Sequence, residues 1–248
     1  MKHIKCQIIS NQEIAKGIFE MVLDSRGLPD SLPGQFVMLY LDKGDTLLPR
    51  PISICKQGKN VMMLVYKVVG TGTKYLSNYN PGDNIRLMGP LGNGFTIDPA
   101  AKGQKGVALV GGGIGIPPLV SLFSKLKDMA PDTPAPDVFL GFRDDSFLTN
   151  FFGENVHTTN GNIIELLERH AQEYDEMYAC GPKPMLAALS SYATKKNIRL
   201  QVSLEERMAC GVGTCMGCVT SVVDDSASGY MKICCEGPVF YSDKVVLN

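Results

Sequence analysis

The stretch CGVGTCMGC at residues 210–218 determines how the C-terminal part of this chain can fold. It spaces Cys210, Cys215 and Cys218 as C-x4-C-x2-C, and a fourth cysteine follows in ICCEGPVF at either Cys234 or Cys235. Plant-type [2Fe–2S] proteins hold their cluster with this ligand spacing. Three intervening glycines let so short a loop curl around an inorganic core. The spacing therefore predicts a [2Fe–2S] cluster.

Three other uses of these cysteines are a tetrahedral zinc site, a pair of disulfides, and buried free thiols. Structural zinc sites usually take their ligands from two closely spaced cysteine pairs, and a loop of three cysteines with a distant fourth fits that pattern poorly. Residues from about 205 onward contain too little apolar sequence to fold unaided. A bound metal centre would supply the missing core.

Composition indicates a globular chain with no strong electrostatic preference. Of the 248 residues 44% are hydrophobic, and 24 basic against 25 acidic residues leave a net charge of −1. This balance favours neither nucleic acid nor anionic lipid as a partner. The N-terminal MKHIKCQIIS predicts a strand rather than a signal-peptide core, and no apolar run reaches transmembrane length. The eight cysteines are therefore expected to be thiols or metal ligands in a reducing cytoplasm.

The first part of the chain, residues 1–98, is rich in short strands. Runs such as KCQIIS, IFEMVL and VMMLVYKV alternate with clusters of Gly, Pro and Asp. About six such strands predict a small antiparallel β-barrel. The Gly/Pro-rich connector GPLGNGFTIDPAAKGQKG at 89–106 marks the end of this domain.

Residues 99–204 alternate strands with helices, which predicts a doubly wound parallel-sheet domain for nucleotide binding. Four strands are expected, at VALVGG, DVFLGF, EMYACG and IRLQVSLE. The remaining residues, 205–248, form a third, small segment that carries the cluster. The predicted fold is thus multi-domain, with β and α/β parts.

A glycine turn follows the first of these strands, in VALVGGGIGIPPLV at 107–120. Such a turn lets a pyrophosphate approach the backbone at a helix N-terminus. The G-x-G-x-x-G fingerprint is not met, because Ile116 takes the place of its third glycine, so a turn that serves only chain geometry stays open. Asp144 and Asp145 would repel a 2′-phosphate and favour NAD over NADP, although Arg143 beside them weakens that preference. The candidate nucleotide-binding residues here are Gly111, Gly112, Gly113, Ile114 and Gly115.

A second candidate nucleotide contact is Cys180-Gly181-Pro182, at the end of EMYACG. Ligands of open parallel sheets bind outside the carboxyl ends of the strands, so Cys180 is placed to touch a nicotinamide. A lone cysteine is as often a small buried hydrophobic residue. Both interpretations of Cys180 remain open from the sequence.

Two motifs in the barrel region suggest a flavin site. RPISI at 50–54 offers a basic residue followed by a hydroxyl, and VYKVVGTGT at 65–73 offers a Gly-Thr turn, which together can hold a pyrophosphate and a polar ring edge. By contrast, His3, His157 and His170 are far apart in sequence and are expected to be separate surface or core histidines. The sequence contains no Ser-His-Asp or paired-carboxylate pattern, so no catalytic residue is predicted.

With these motifs in hand, the chain resembles the ferredoxin–NAD(P)H reductase superfamily over essentially its whole length. Within it, the resemblance is greatest to the electron-transfer subunits of type B dihydroorotate dehydrogenases. The most specific match is LEERMACGVGTCMGC at 204–218 followed by CEGPVF at 235–240. RPISI, GTGT, GPLGNGF, GGGIGIPPL and CGPKPM also follow in the order that the family carries them.

The resemblance implies FAD, a [2Fe–2S] cluster and a site for NAD. It assigns the flavin to Arg50, Pro51, Ile52, Ser53, Val65, Tyr66, Lys67, Gly72 and Thr73. It assigns the cluster to Cys210, Cys215, Cys218 and, counting back from the Gly-Pro pair, Cys234. It implies an FMN-containing dihydroorotate dehydrogenase catalytic subunit as the partner in a heterotetramer, with electrons passing through cluster and FAD to NAD⁺ in pyrimidine biosynthesis.

Three rival functions remain open from the sequence. One is a small subunit with the same cofactors that serves a ferredoxin, sulfide or hydrogenase partner. The others are a redox sensor that uses the cluster as its signal, and a zinc-stabilised binding module.

Overall fold

The computed structural model describes residues 3–41, 47–97, 106–131, 133–170, 172–223 and 229–247. They form a closed six-stranded barrel, a six-stranded mixed sheet and a two-stranded ribbon. The predicted fold class, a β-barrel followed by a doubly wound parallel-sheet domain, is confirmed. No helix in these described ranges is long and apolar enough to cross a membrane.

The elements of the barrel are β1 Ile4–Ala15, β2 Ile18–Asp24, β3 Phe36–Tyr40, β4 Arg50–Gln57, β5 Val61–Lys67, α1 Thr71–Leu76 and β6 Asn84–Leu91. The barrel is antiparallel throughout, and its strands pair in the order β1-β2-β5-β4-β3-β6. A short helix, α1, connects β5 to β6. In strand β2, Met21 and Leu23 are fully buried, whereas Val22 and Asp24 are only partly covered, as expected when one face of a strand lines a core.

The elements of the second sheet and its helices are β7 Val107–Gly112, α2 Pro117–Met129, β8 Asp137–Gly141, β9 Val156–Thr159, α3 Ile163–His170, β10 Glu176–Cys180, α4 Lys183–Lys196, β11 Arg199–Ser203 and β14 Val239–Tyr241. The helices pack against the sheet, whose strands pair in the order β14-β11-β10-β7-β8-β9. Strands β7 to β11 run parallel, and β14 is antiparallel to β11. The ribbon consists of β12 Val219–Ser221 and β13 Tyr230–Lys232.

The expectation of four strands in this sheet is wrong in two respects. Strand β9 has the sequence VHTT and lies at the sheet edge without a fully buried residue, so it lacks the apolar run that marks the other parallel strands. Strand β14 comes from the cysteine-rich segment and pairs with β11, joining Ser203 to Val239. One strand of the cysteine-rich segment is therefore part of the six-stranded sheet.

Gln201 in β11 joins the barrel to this sheet. Its buried side-chain amide donates to the Thr96 carbonyl at 2.8 Å and accepts from the Thr96 backbone N–H at 2.9 Å. The Tyr178 hydroxyl donates to the same carbonyl at 3.3 Å, and the Tyr178 ring meets Phe95 edge-on at 5.6 Å. These contacts hold Phe95 and Thr96, which follow β6, against the sheet and fix where the two sheets meet.

Candidate cofactor cleft and cysteine loop

A cleft of about 470 Å³ opens between the barrel and the mixed sheet. The barrel supplies one wall from both flavin motifs, and the sheet supplies the other from the glycine turn and from the segment after β11. The lining residues are Phe36, Arg50, Pro51, Ile52, Ser53, Val65, Tyr66, Lys67, Val69, Thr73, Ile114, Leu204, Glu205, Glu206, Arg207, Met208 and Pro238.

Arg50, at the start of β4, is held in place by its neighbours. Its Nη1 donates to the Leu48 carbonyl and, at 3.4 Å, to the Pro49 carbonyl. The guanidinium lies against the backbone of Gly72, where any Cβ would overlap Nε, Nη2 and Cζ. The two flavin motifs, although separate in sequence, thus meet at one contact, and Gly72 is required there for close approach.

The Thr73 hydroxyl closes the turn beside Arg50. It accepts hydrogen bonds from the amides of Val69 at 2.9 Å and Gly70 at 3.2 Å, and it donates to the Gly70 carbonyl at 3.1 Å. These bonds occupy the hydroxyl, so Thr73 shapes the turn at the cleft wall. Gly72 and Thr73 are both buried.

Tyr66 in β5 forms a rigid part of the barrel wall. Its hydroxyl donates to Asn11 Oδ1 at 2.9 Å, and its ring stacks on Phe19 at 5.7 Å. Burial raises the pKa of Tyr66 above its ordinary value, so the phenol stays neutral. Val65 and Tyr66 are buried, whereas Lys67 is exposed at the end of the strand.

The glycine turn lies where the sheet order reverses, between β7 and β10. Gly111 pairs with Cys180 across these two strands, and Gly113 to Gly115 form a 3-10 turn between β7 and α2. A Cβ at Gly115 would come within 2.5 Å of the Cys180 carbonyl carbon and oxygen, so only glycine fits. Ligands of open parallel sheets bind at such a reversal, and Ile114 from this turn reaches the cleft.

Cys180 itself is 1% exposed and is not among the residues that line the cleft. Burial, together with the nearby Glu205, raises the pKa of its thiol, which therefore stays protonated. Gly181 and Pro182 follow at the start of α4, where the Pro182 carbonyl accepts from the Met185 amide at 2.9 Å. A nicotinamide contact by Cys180 stays a prediction, and its side chain packs as a buried hydrophobic residue in this structure.

The cysteine loop directs backbone amides at sulfur. Cys210 Sγ accepts from the amides of Val212 at 3.5 Å and Cys215 at 3.4 Å. Burial alone would raise the pKa of Cys210, but these amide hydrogen bonds outweigh it and lower the pKa to about 6. Thiolates are the iron ligands of such clusters, so these amides favour the metal-binding form of Cys210.

The adjacent cysteines Cys234 and Cys235 have different surroundings. Cys234 is 1% exposed and accepts from the Gly213 amide at 3.1 Å. Burial and a hydrogen bond with Cys218 raise its pKa to about 12. Cys235 is exposed, and its thiol lies 3.9 Å from the Lys232 carbonyl. Cys234 is thus turned into the loop beside Cys218, which favours it over Cys235 as the fourth ligand.

The chemistry of the donor set bears on the kind of metal centre. Cys210 and Cys234 both accept hydrogen bonds from backbone amides, and Cys234 lies in contact with Cys218. A set of cysteine sulfurs that accept backbone hydrogen bonds is the ligand chemistry that a [2Fe–2S] cluster uses.

The segment at residues 204–208 connects the cleft to the cysteine loop. It leaves β11, lines the cleft, and enters the loop at Cys210. Within it, Glu206 pairs with Lys183 at the start of α4. Gly211 follows with φ +69°, and a Cβ there would lie 2.7 Å from Met38 Cγ in the barrel. The sequence motifs did not assign this segment to the cleft, because its place depends on the pairing of β11 with β14.

The histidine expectation needs correction. His157 and His170 lie together, with ring centroids 4.1 Å apart, although 12 residues separate them in sequence. His3 is apart from them and packs against Tyr40 at 4.5 Å. The pairing follows from α3 packing beside β9, which no local sequence pattern signals.

Comparisons with known proteins agree with this arrangement. A family model described as the iron-sulfur cluster binding domain of dihydroorotate dehydrogenase B matches residues 205–246. The chain is 39% identical to the dihydroorotate dehydrogenase B (NAD(+)) electron transfer subunit of Caldanaerobacter subterraneus subsp. tengcongensis, over 98% of each chain. It is also 39% identical to the subunit of the same name from Geobacillus sp. (strain WCH70), over 100% of each chain.

Solved structures are similar as well. The NADH-dependent reduced ferredoxin-NADP oxidoreductase, studied for flavin-based electron bifurcation, aligns with a TM-score of 0.83 at 25% identity, covering 98% of this chain and 90% of that one. The ferredoxin-NADP⁺ reductase from Plasmodium falciparum aligns with a TM-score of 0.63 at 16% identity, covering 82% and 96% respectively. The second likeness shows a shared fold.

Proposed function

The chain belongs to the family of dihydroorotate dehydrogenase B (NAD(+)) electron transfer subunits, and from this premise we propose that it passes electrons from a dihydroorotate-oxidising partner to NAD⁺. The observation that carries the proposal is the continuous path of residues 204–208 from the cleft into the cysteine loop. An electron-transfer subunit needs its two redox groups close together, and one short segment touches both candidate sites here.

FAD is the group that the cleft fits. When bound, FAD exchanges a hydride with a nicotinamide and single electrons with an iron–sulfur cluster. The Arg50 guanidinium would pair with its pyrophosphate, and the turn at Gly72 and Thr73 would support that pairing. The strand residues Pro51, Ile52, Ser53, Val65, Tyr66 and Lys67 would form the wall against the ring system and its polar edge.

The [2Fe–2S] cluster belongs in the cysteine loop. Cys210, Cys215, Cys218 and Cys234 would hold it, with the amides of Val212, Gly213 and Cys215 already directed at sulfur. Hydrogen bonds to cluster sulfurs are among the features that set reduction potential. The same amides would therefore tune the potential of the centre that they help to build.

NAD is proposed to bind at the sheet reversal. Gly111 to Gly115 supply a backbone that a pyrophosphate can approach, and Gly181 and Pro182 border the same reversal from β10. Ile114 brings this turn to the cleft wall, so a nicotinamide held there would face the flavin site. The exposed Asp144 and Asp145 after β8 disfavour a 2′-phosphate, which supports NAD over NADP.

The partner follows from the family. We propose an FMN-containing dihydroorotate dehydrogenase catalytic subunit, with two copies of each subunit forming a heterotetramer. None of the eight cysteines, all of which lie in the described residues, forms a disulfide, and this supports a reducing cytoplasm as the compartment. We keep residues 1–98, 99–204 and 205–248 as three functional units. Strand β14 of the third unit pairs with β11 of the second.

The first experiment is an anaerobic cofactor assay on the purified protein, followed by reconstitution with the FMN-containing subunit. We expect one FAD, two irons and two sulfides per chain, and dihydroorotate-dependent reduction of NAD⁺ only when both subunits are present. Cys215→Ser should lose iron and sulfide, keep FAD, and lose coupled activity. Full coupled activity without bound iron would contradict the proposal.

A second candidate function is a small subunit that links NAD(P)H to a ferredoxin partner. The observation in its favour is the likeness to the NADH-dependent reduced ferredoxin-NADP oxidoreductase over 98% of this chain. Copurification separates the two functions. An FMN-bearing partner with dihydroorotate activity supports the first, and a large iron–sulfur partner supports the second.

A further inference from the structure

Three side chains with metal-binding chemistry converge at the edge of the nucleotide sheet, away from the cleft. Asp137 begins β8, His157 is the second residue of β9, and His170 ends α3. One ligand atom of each lies within 4.8 Å of the other two. Asp137 and His157 are both near the amino ends of parallel strands, whereas the cofactor cleft lies at the carboxyl ends. The group formed by Asp137, His157 and His170 is therefore separate from the redox site.

The three side chains lie close together without forming hydrogen bonds to one another. The His157 and His170 rings are 4.1 Å apart between centroids and tilted by 50°. His170 Nε2 lies 3.8 Å from Asp137 Oδ2, which is too long for a hydrogen bond. Within the parts of the chain that the structure describes, neither imidazole makes a hydrogen bond. A cation between the three groups would bind to imidazole nitrogen atoms that have no hydrogen-bond partner among the described residues.

Neighbouring aromatic residues hold these three side chains in this geometry. The Phe139 ring stacks on His157 at 5.1 Å and meets His170 edge-on at 5.3 Å. The Tyr174 hydroxyl donates to Asp137 Oδ2 at 2.9 Å and so fixes the carboxylate. Metal sites commonly have an outer layer of this kind, which orients the ligands before the metal arrives.

These three side chains are accessible from solvent. The His170 side chain is 28% exposed and that of Asp137 is 13% exposed, so an ion can enter.

We propose that Asp137, His157 and His170 form a site for a divalent first-row transition-metal cation, with Zn²⁺ as the best match. Two imidazoles and one carboxylate are a common zinc ligand set, and water would complete the coordination. The metal would tie β8, β9 and α3 together at the short edge strand of the sheet. None of its three ligands lines the cofactor cleft.

Calorimetric titration of Zn²⁺ into the holoprotein, with FAD and the [2Fe–2S] cluster in place, tests this site. We expect one equivalent to bind, and affinity to fall at least about 100-fold in His157→Gln and in His170→Gln, since each removes a ligand. His3→Gln is the matched control, because it removes the remaining histidine of the chain and should bind as the unsubstituted protein does. Absence of binding, or equal affinity in His170→Gln, would overturn the proposal.

The Zn K-edge absorption spectrum of the loaded protein distinguishes this site from the cysteines. Nitrogen and oxygen ligands at about 2.0–2.2 Å support the proposal, and a sulfur shell at about 2.3 Å would reject it. If a histidine variant fails to fold, Tyr174→Phe provides an independent measurement. It keeps the ring and removes only the hydrogen bond to Asp137, so we expect Zn²⁺ binding roughly 10–100-fold weaker, and unchanged affinity would count against the site.

Discussion

The guanidinium of Arg50 lies directly against the backbone of Gly72, so that the two flavin motifs of the barrel share a single contact. Because Arg50 also donates to the Leu48 and Pro49 carbonyls, its position is fixed from both sides. A positive group held in this way can receive a pyrophosphate with little loss of side-chain freedom.

Gly72→Ala should therefore weaken FAD binding. The added methyl group would displace the guanidinium and remove a charge-assisted hydrogen bond worth about 1.5–3 kcal/mol, which corresponds to roughly 10–100-fold in affinity. Flavin fluorescence titration of the apoprotein would measure it. Gly70→Ala is the control, since a Cβ at Gly70 meets nothing within 4 Å and its φ of −176° suits any residue. Equal affinity in the two variants would show that Arg50 does not hold FAD.

Cys234→Ser should abolish the cluster, while Cys235→Ser should keep it. Cys234 is buried against Cys218 and the Gly213 amide, whereas Cys235 faces solvent. Iron and sulfide analysis of both variants, purified anaerobically, gives the answer directly. The opposite result would move the fourth ligand by one residue.

Gly115→Ala should impair NAD binding and leave FAD and iron in place. Its Cβ would press on the Cys180 carbonyl and separate the carboxyl ends of β7 and β10. NADH oxidation with an artificial acceptor should show a raised KM. Gly161→Ala is the control, because its Cβ meets only Thr159 Oγ1 at an ordinary 3.5 Å. An unchanged KM in Gly115→Ala would place the nucleotide elsewhere.

Gln201→Leu should destabilise the junction between barrel and sheet. The substitution leaves the Thr96 N–H and C=O without the partner that Gln201 provides, at a cost of about 1–3 kcal/mol. The urea midpoint of the holoprotein should fall, whereas Gln7→Leu, at an exposed position of β1, should change it little. Matching midpoints for the two variants would mean that water replaces the Gln201 contacts.

Local patterns predicted those parts of the molecule that local forces build. The barrel strands, the alternation of strands and helices, and the cysteine spacing are all visible within a few residues. The short edge strand β9, with the sequence VHTT, has no apolar run to reveal it, and β14 becomes a sheet strand only because Val239 pairs with distant Ser203. The convergence of His157 with His170, and the place of residues 204–208 in the cleft, likewise depend on contacts that only the complete fold creates.

The pairing of Ser203 with Val239 also bears on how the holoprotein is assembled. Every cluster cysteine lies between these two residues, so formation of the β11–β14 pair closes a loop that contains the whole ligand set. The entropy of bringing distant cysteines together is then lost during folding of the sheet rather than during metal capture.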